Sequence, residues 1–217
     1  FVFKRLSLNT DTFYKNCKKY GIALTGGAGT GKSTVGKIIT SEGFLLIDAD
    51  DIARKLRADT KGQVWTRIVE SFGEQIITTS GMLDNNLLAK IIFSDKEKKK
   101  TLENIMHPAI RLELINLRSK LNLQDQNKPW FYEASLIFES NLQNQFSSIW
   151  LTVCSIETQR KRLLTRSGYD NTKIDYIFNN QYSTKRKKSL SNILINTESP
   201  INKTKAIVLK ELSKLTV

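Results

Sequence analysis

The sequence has few of the residues that staple or ligate. Of 217 residues only Cys17 and Cys154 are cysteines, and His107 is the one histidine. A disulfide scaffold and a four-thiolate zinc site are excluded, and no histidine cluster can hold a metal. A Ser-His-Asp triad would have to use His107. Long apolar runs are missing as well. Stretches such as Phe44–Ile47 and Leu136–Phe138 fall far short of the ~18 residues that span a bilayer. No basic-then-apolar signal opens the chain, and no long Pro/Gly/Ser linker divides it. The missing linker points to one compact unit and the missing apolar runs to no membrane partner; a cytoplasmic monomer or weak homo-oligomer is the expectation, and the sequence does not fix the oligomeric state.

Positive charge is abundant. Lys+Arg number 34 against 21 Asp+Glu, a formal net charge of +13. Either the excess is spread over solvated faces, or the partner is anionic: a phosphorylated small molecule or nucleic acid. Charge alone does not choose. With 40% hydrophobic and 25% charged residues the chain is a globular protein.

Residues 1–19 are polar and basic and read as a loosely attached extension, with Cys17 exposed; their basic character also fits a targeting peptide. From Tyr20 the pattern sharpens. Tyr20–Thr25 (YGIALT) ends in glycines and reads as a buried strand, followed by a helix over Ser33–Ser41 and a second strand at Phe44–Ile47. Strand, loop, helix and strand make a βαβ unit, which gives a parallel sheet. Between about 51 and 122, apolar residues recur at three and four. This predicts four or five helices broken at Gly62, Gly73 and Gly81, an insertion beside the core. The lysines at 96 and 98–100 form a solvated face within it. Trp130–Ala134, Ile149–Cys154 and Asn192–Asn196 supply three more strands. Helices are predicted over Glu157–Arg166, Ile174–Gln181 and Ile201–Leu215.

The strongest motif is Gly26-Gly27-Ala28-Gly29-Thr30-Gly31-Lys32-Ser33, which fits G-x-x-x-x-G-K-[ST] in full. A chain this long would match by chance at roughly the 1% level, and the strand before and helix after make chance rarer still. Glycines allow a tight turn whose N–H groups aim inward at a phosphate chain. The helix that follows adds its positive N-terminus. Lys32 suits the β and γ phosphates of ATP, and the Ser33 hydroxyl suits Mg²⁺. Thr34 can reach the α-phosphate or serve only as a helix residue.

Asp48, Asp50 and Asp51 follow the second strand. The first helix runs about 15 Å back and the strand returns a similar distance. Asp48 and Asp50 are therefore expected at the sheet edge that carries Lys32, two apart on one extended face. Two jobs are open there: holding Mg²⁺ or its waters, and taking a proton from an attacking hydroxyl. The plainer alternative is that these residues cap the next helix.

ALTGGAGTGKST, LLIDADDIAR, LENIMHPAI, SLIFE and ETQRKRL, in this order and spacing from about Tyr20 onward, closely resemble the dephospho-CoA kinase family. The resemblance implies ATP-dependent phosphorylation of the 3′-hydroxyl of dephospho-CoA. It also implies an α/β P-loop kinase core (20–57 and 129–217) with a parallel five-stranded sheet, a helical substrate-binding insertion (58–128) and a mobile lid (about 160–190). Asp50 matches the family's proposed general base and Arg54 the arginine that follows it. His107-Pro108 matches a His-Pro pair near the substrate insertion. Arg162 and Arg166 fall in the stretch where lid arginines meet phosphates. The chain departs from the family at Ser135, where Pro is usual, at Glu133, where Asp is common, and at Ser191-Asn192, where Ala-Asp is usual.

Arg162 and Arg166 are expected on one helix face, spaced to clamp developing phosphate charge. Glu139 has two readings, substrate contact or pairing with a lysine. Gln181 is open between a lid role and a structural one. Cys154 is expected to be an inert buried thiol. Two rival functions remain on the sequence: a kinase for another nucleoside or nucleotide, and a basic P-loop ATPase acting on nucleic acid. The second lacks a helicase-like acidic motif.

Overall fold

The computed structural model describes residues 12–120 and 128–215. Two compact units divide the chain: Phe1–Asp48 with Asn122–Val217, and Ala49–Leu121.

The first unit is built on a five-stranded sheet of β1 (Gly21–Gly26), β2 (Leu46–Asp48), β3 (Trp130–Glu133), β4 (Ser148–Val153) and β5 (Ile193–Asn196). All neighbours run parallel, in the order β2-β3-β1-β4-β5. Each expected strand is present, within a residue or two of its expected bounds. Every residue of β1 is buried, as befits a central strand covered on both faces. Ile22 and Leu24 share a core with Val35, Ile39, Phe131, Trp150, Ile195 and Val208. The Phe131 and Trp150 rings meet edge to face at 5.0 Å. Helix α2 (Lys32–Ser41) follows β1, and α10 (Ile201–Ser213) brings Val208 and Leu212 to the same core. Between β4 and β5 lie α7 (Ile156–Leu164), α8 (Asn171–Asn179) and α9 (Thr184–Ser189).

The start of the chain needs a correction. Residues 12–20 are helical (α1) and fastened to this unit. Phe13 and Cys17, one turn apart, are buried. Asn16 accepts a hydrogen bond from the Trp130 indole at 3.2 Å. Cys17 is 1% exposed, not a surface thiol. The rest of the expected extension, residues 1–11, lies outside the described residues.

The second unit contains α3 (Ala49–Ala58), α4 (Gln63–Phe72), α5 (Asn85–Ser94) and α6 (Lys96–Ser119). The divide falls after Asp48, so α3 belongs here rather than with a core that runs on to residue 57. Val64, Ile68, Phe72, Leu88, Leu102, Ile105 and Met106 form its own apolar centre. Gly73 ends α4 with φ +87°, a conformation that favours glycine. Asp84 and Asp95 cap α5 and α6 by accepting from first-turn N–H groups. Pro108 sits inside α6 without ending it. No helix among the described residues is long and apolar enough to cross a membrane.

Candidate active site

The phosphate-type loop joins β1 to α2. Gly29 and Gly31 hold φ +77° and +84°. A Cβ at Gly29 would lie 2.7 Å from the Gln159 carbonyl oxygen, so any side chain there collides with backbone. Gly31 sits at the N-cap of α2 with no side-chain cap, which suits the helix start for an anion. The loop is tied from behind. Thr30 Oγ1 donates to Gly27 O at 2.8 Å and lies 2.7 Å from Thr152 Oγ1. Thr197 Oγ1 donates to Thr30 O at 2.6 Å. Lys32 is 9% exposed, and its Nζ lies 2.9 Å from Gly26 O and 3.4 Å from Gly27 O, folded over the loop.

Ser33 donates to Glu133 Oε1 at 3.4 Å. Glu133, 4% exposed, ends β3 and pairs in register with Asp48, which ends β2. A hydroxyl and two carboxylates thus come to the carboxyl edge of the sheet. Magnesium binds through one or two carboxylates while keeping waters and phosphate oxygens, so this donor set fits it. Among the described residues no group of three His, Cys, Asp or Glu side chains could hold a metal alone. The sequence marks Glu133 only as a departure from the family pattern. Its signal was available: the one acidic residue closing an apolar strand that borders the glycine loop's strand.

The acidic run differs from expectation. β2 ends at Asp48 and α3 starts at Ala49, so Asp48 and Asp50 do not share one extended segment. Asp50 stands in the first turn of α3, in the helical unit. Asp51 accepts from Arg54 and pairs with Lys55 at 2.8 Å. The Lys55 and Arg54 hydrogen bonds hold its carboxyl below the usual aspartate range. Arg54 is exposed. His107 is exposed within α6.

Helix α7 ends at Leu164, so Arg166 lies beyond it and the expected Arg162–Arg166 helix face does not form. Arg162 instead turns to the underside of the loop. It donates to Thr197 O at 2.6 Å, Thr197 Oγ1 at 3.3 Å and Gly29 O at 3.4 Å. Cys154 lies beside it, 3.6 Å from Arg162 Nη1. Cys154 is half-buried rather than buried as expected, and desolvation pushes its thiol pKa up despite the arginine.

Glu139 resolves towards a lysine. Its Oε1 pairs with Lys187 Nζ at 2.9 Å and accepts from Tyr182 N at 2.7 Å. Next to Tyr182, Gln181 Oε1 accepts from the loop amide of Ala28 at 3.2 Å. Gln159, Gln181 and Thr197 are loop supports that glycine spacing does not announce.

A protein-family model described as CoaE, dephospho-CoA kinase, matches residues 20–203. The dephospho-CoA kinase of Streptococcus agalactiae serotype III is 32% identical over 194 residues, covering 89% of this chain and 98% of that protein. That of Listeria monocytogenes is 34% identical, covering 84% and 90%. The solved dephospho-CoA kinase of Campylobacter jejuni aligns with a TM-score of 0.62 at 25% identity, covering 90% of this chain and 96% of that one. A solved Thermus thermophilus protein aligns at 0.76 and 26% identity, covering 91% and 98%.

Proposed function

Because this chain belongs to the dephospho-CoA kinase family, we propose that it transfers the γ-phosphoryl group of ATP to the 3′-hydroxyl of dephospho-CoA. The products are CoA and ADP, the last step of CoA synthesis. The observation that carries this reading is the glycine loop with Lys32 at the sheet's carboxyl edge, set in a family match over residues 20–203.

The loop of Gly26, Gly27, Gly29, Thr30 and Gly31, with Ser33 and Thr34 at the start of α2, takes the phosphate chain. Lys32 exchanges its carbonyl partners for phosphate oxygens. Ser33, Asp48 and Glu133 would hold Mg²⁺, which when bound neutralises charge on the transferring group. Asp50 orients the attacking hydroxyl and takes its proton. Arg54 of α3 and His107 of α6 serve the acceptor from the helical unit. Glu139 acts through the lid segment it anchors. Arg162 supports the loop, and Arg166 meets phosphate when the lid (about 160–190) closes. The reaction belongs to the cytoplasm.

The test is ADP formation with dephospho-CoA, adenosine and AMP offered separately. Dephospho-CoA is expected to give the highest kcat/KM. A higher value for AMP or adenosine would make the chain a kinase for another nucleotide or nucleoside.

A further inference from the structure

Helix α3 carries Asp50, Arg54 and Arg57 at positions i, i+4 and i+7, within a stripe of about 60°. Their surroundings differ. Arg54 is exposed and donates to Asp51. Arg57 lies nearer the apolar side of the helix, where Ala53 and Leu56 pack against the core of the helical unit. It is half-buried, and its Nε is sealed from solvent and donates no hydrogen bond. Burial lowers the pKa of its guanidinium, and the one opposing influence is the field of Asp50. No carboxylate forms an ion pair with it among the described residues. The Trp65 indole N–H, packed on the same core from α4, is a second sealed and unmet donor in this unit.

A buried donor left unmet is destabilising, and more so on a charged group. The terminal nitrogens of Arg57 are not among the sealed atoms, so an acceptor from outside the chain can reach the guanidinium there. Arg57 stands seven residues beyond Asp50, roughly 10 Å along the axis. Helical side chains lean towards the N-terminus, so the guanidinium reaches back towards the carboxylate. A sugar with a hydroxyl at one end and a phosphate at the other carries the two groups that a carboxylate and a guanidinium on one helix stripe would meet.

We propose that Arg57 binds the 5′-phosphate end of the acceptor's ribose while Asp50 meets its 3′-hydroxyl. The inference rests on dephospho-CoA being the acceptor, since its diphosphate leaves the 5′ carbon of the ribose that carries the reactive hydroxyl. The planar fork of arginine matches two phosphate oxygens at once. Arg57 thereby sets specificity, favouring acceptors with a 5′-phosphate over a bare nucleoside.

The experiment compares kcat/KM for dephospho-CoA, AMP and adenosine in wild type, Arg57→Gln and Arg57→Met. Both variants are expected to lower the preference for dephospho-CoA and AMP over adenosine by about tenfold or more, chiefly through KM. An unchanged preference, or equal losses on all three acceptors, would overturn the proposal. Thermal melting supplies the second readout. Arg57→Met keeps the apolar stem and deletes the unmet Nε donor, so it should melt no lower than wild type. A variant that unfolds would show that the guanidinium holds the fold and would also overturn the proposal. If wild type fails to phosphorylate dephospho-CoA, it is the functional reading that falls. If wild type is active and the preference does not move, only the role of Arg57 falls.

Discussion

Asp50 is two residues from Asp48 in the chain yet differs in kind. Asp48 closes a strand beside Glu133, whereas Asp50 begins a helix whose charged stripe includes Arg54 and Arg57. The proposed division of labour gives the strand-end pair to magnesium and the helix residue to the hydroxyl. Asp50→Asn keeps the shape and removes the base, so kcat should fall by roughly 10²–10⁴ while ATP affinity, measured by titration calorimetry, stays nearly the same. Wild-type turnover in this variant would remove Asp50 from the chemistry. At this scale the glycine loop, with Lys32 and Ser33 at its end, is legible because its spacing encodes backbone geometry, whereas the extended face expected of Asp48 and Asp50 is split between a strand end and a helix. Gln159 and Thr197 are not legible, and Glu133 and Gln181 stand out only against the family pattern. Each reaches the loop from a distant segment, and a single sequence does not state which strand ends become neighbours.

At the scale of elements, the five strands were readable from short apolar runs between turn residues. Helix α1 was missed because Phe13 and Cys17 place only two buried side chains among lysines. Arginines favour a helix through Arg166, whereas the chain leaves the helix after β4 at Leu164, shortly before Gly168 at φ +77°. Helix α9 rests on the Glu139–Lys187 pair, whose side chains are 13% and 3% exposed. Charges this deeply buried depend on each other. Lys187→Met alone strands the Glu139 carboxylate and should cost about 3–5 kcal/mol. Adding Glu139→Gln should restore much of that loss, since the orphaned charge is gone. Urea unfolding of both single variants and the double variant measures the coupling. A double variant as unstable as Lys187→Met would show that the pair is not what anchors α9.

Across the whole molecule, the βαβ order foretold one parallel sheet, and the run of helical periodicity foretold a separate helical block. The point of division was not readable, because α3 continues the chain from β2 with no glycine or proline between them. The net charge of +13 is the remaining global property, and its meaning depends on the acceptor. If it draws anionic nucleotides towards the protein, kcat/KM for dephospho-CoA should fall several-fold as salt rises from about 50 to about 500 mM, because the Debye length shrinks from roughly 14 to roughly 4 Å. The value for uncharged adenosine, at saturating ATP, should change far less over the same range. Parallel salt curves for the two acceptors would mean that the excess of lysine is a solvated coat with no part in capture. A curve that is steep only for the charged acceptor would place the basic surface in the path by which substrate arrives.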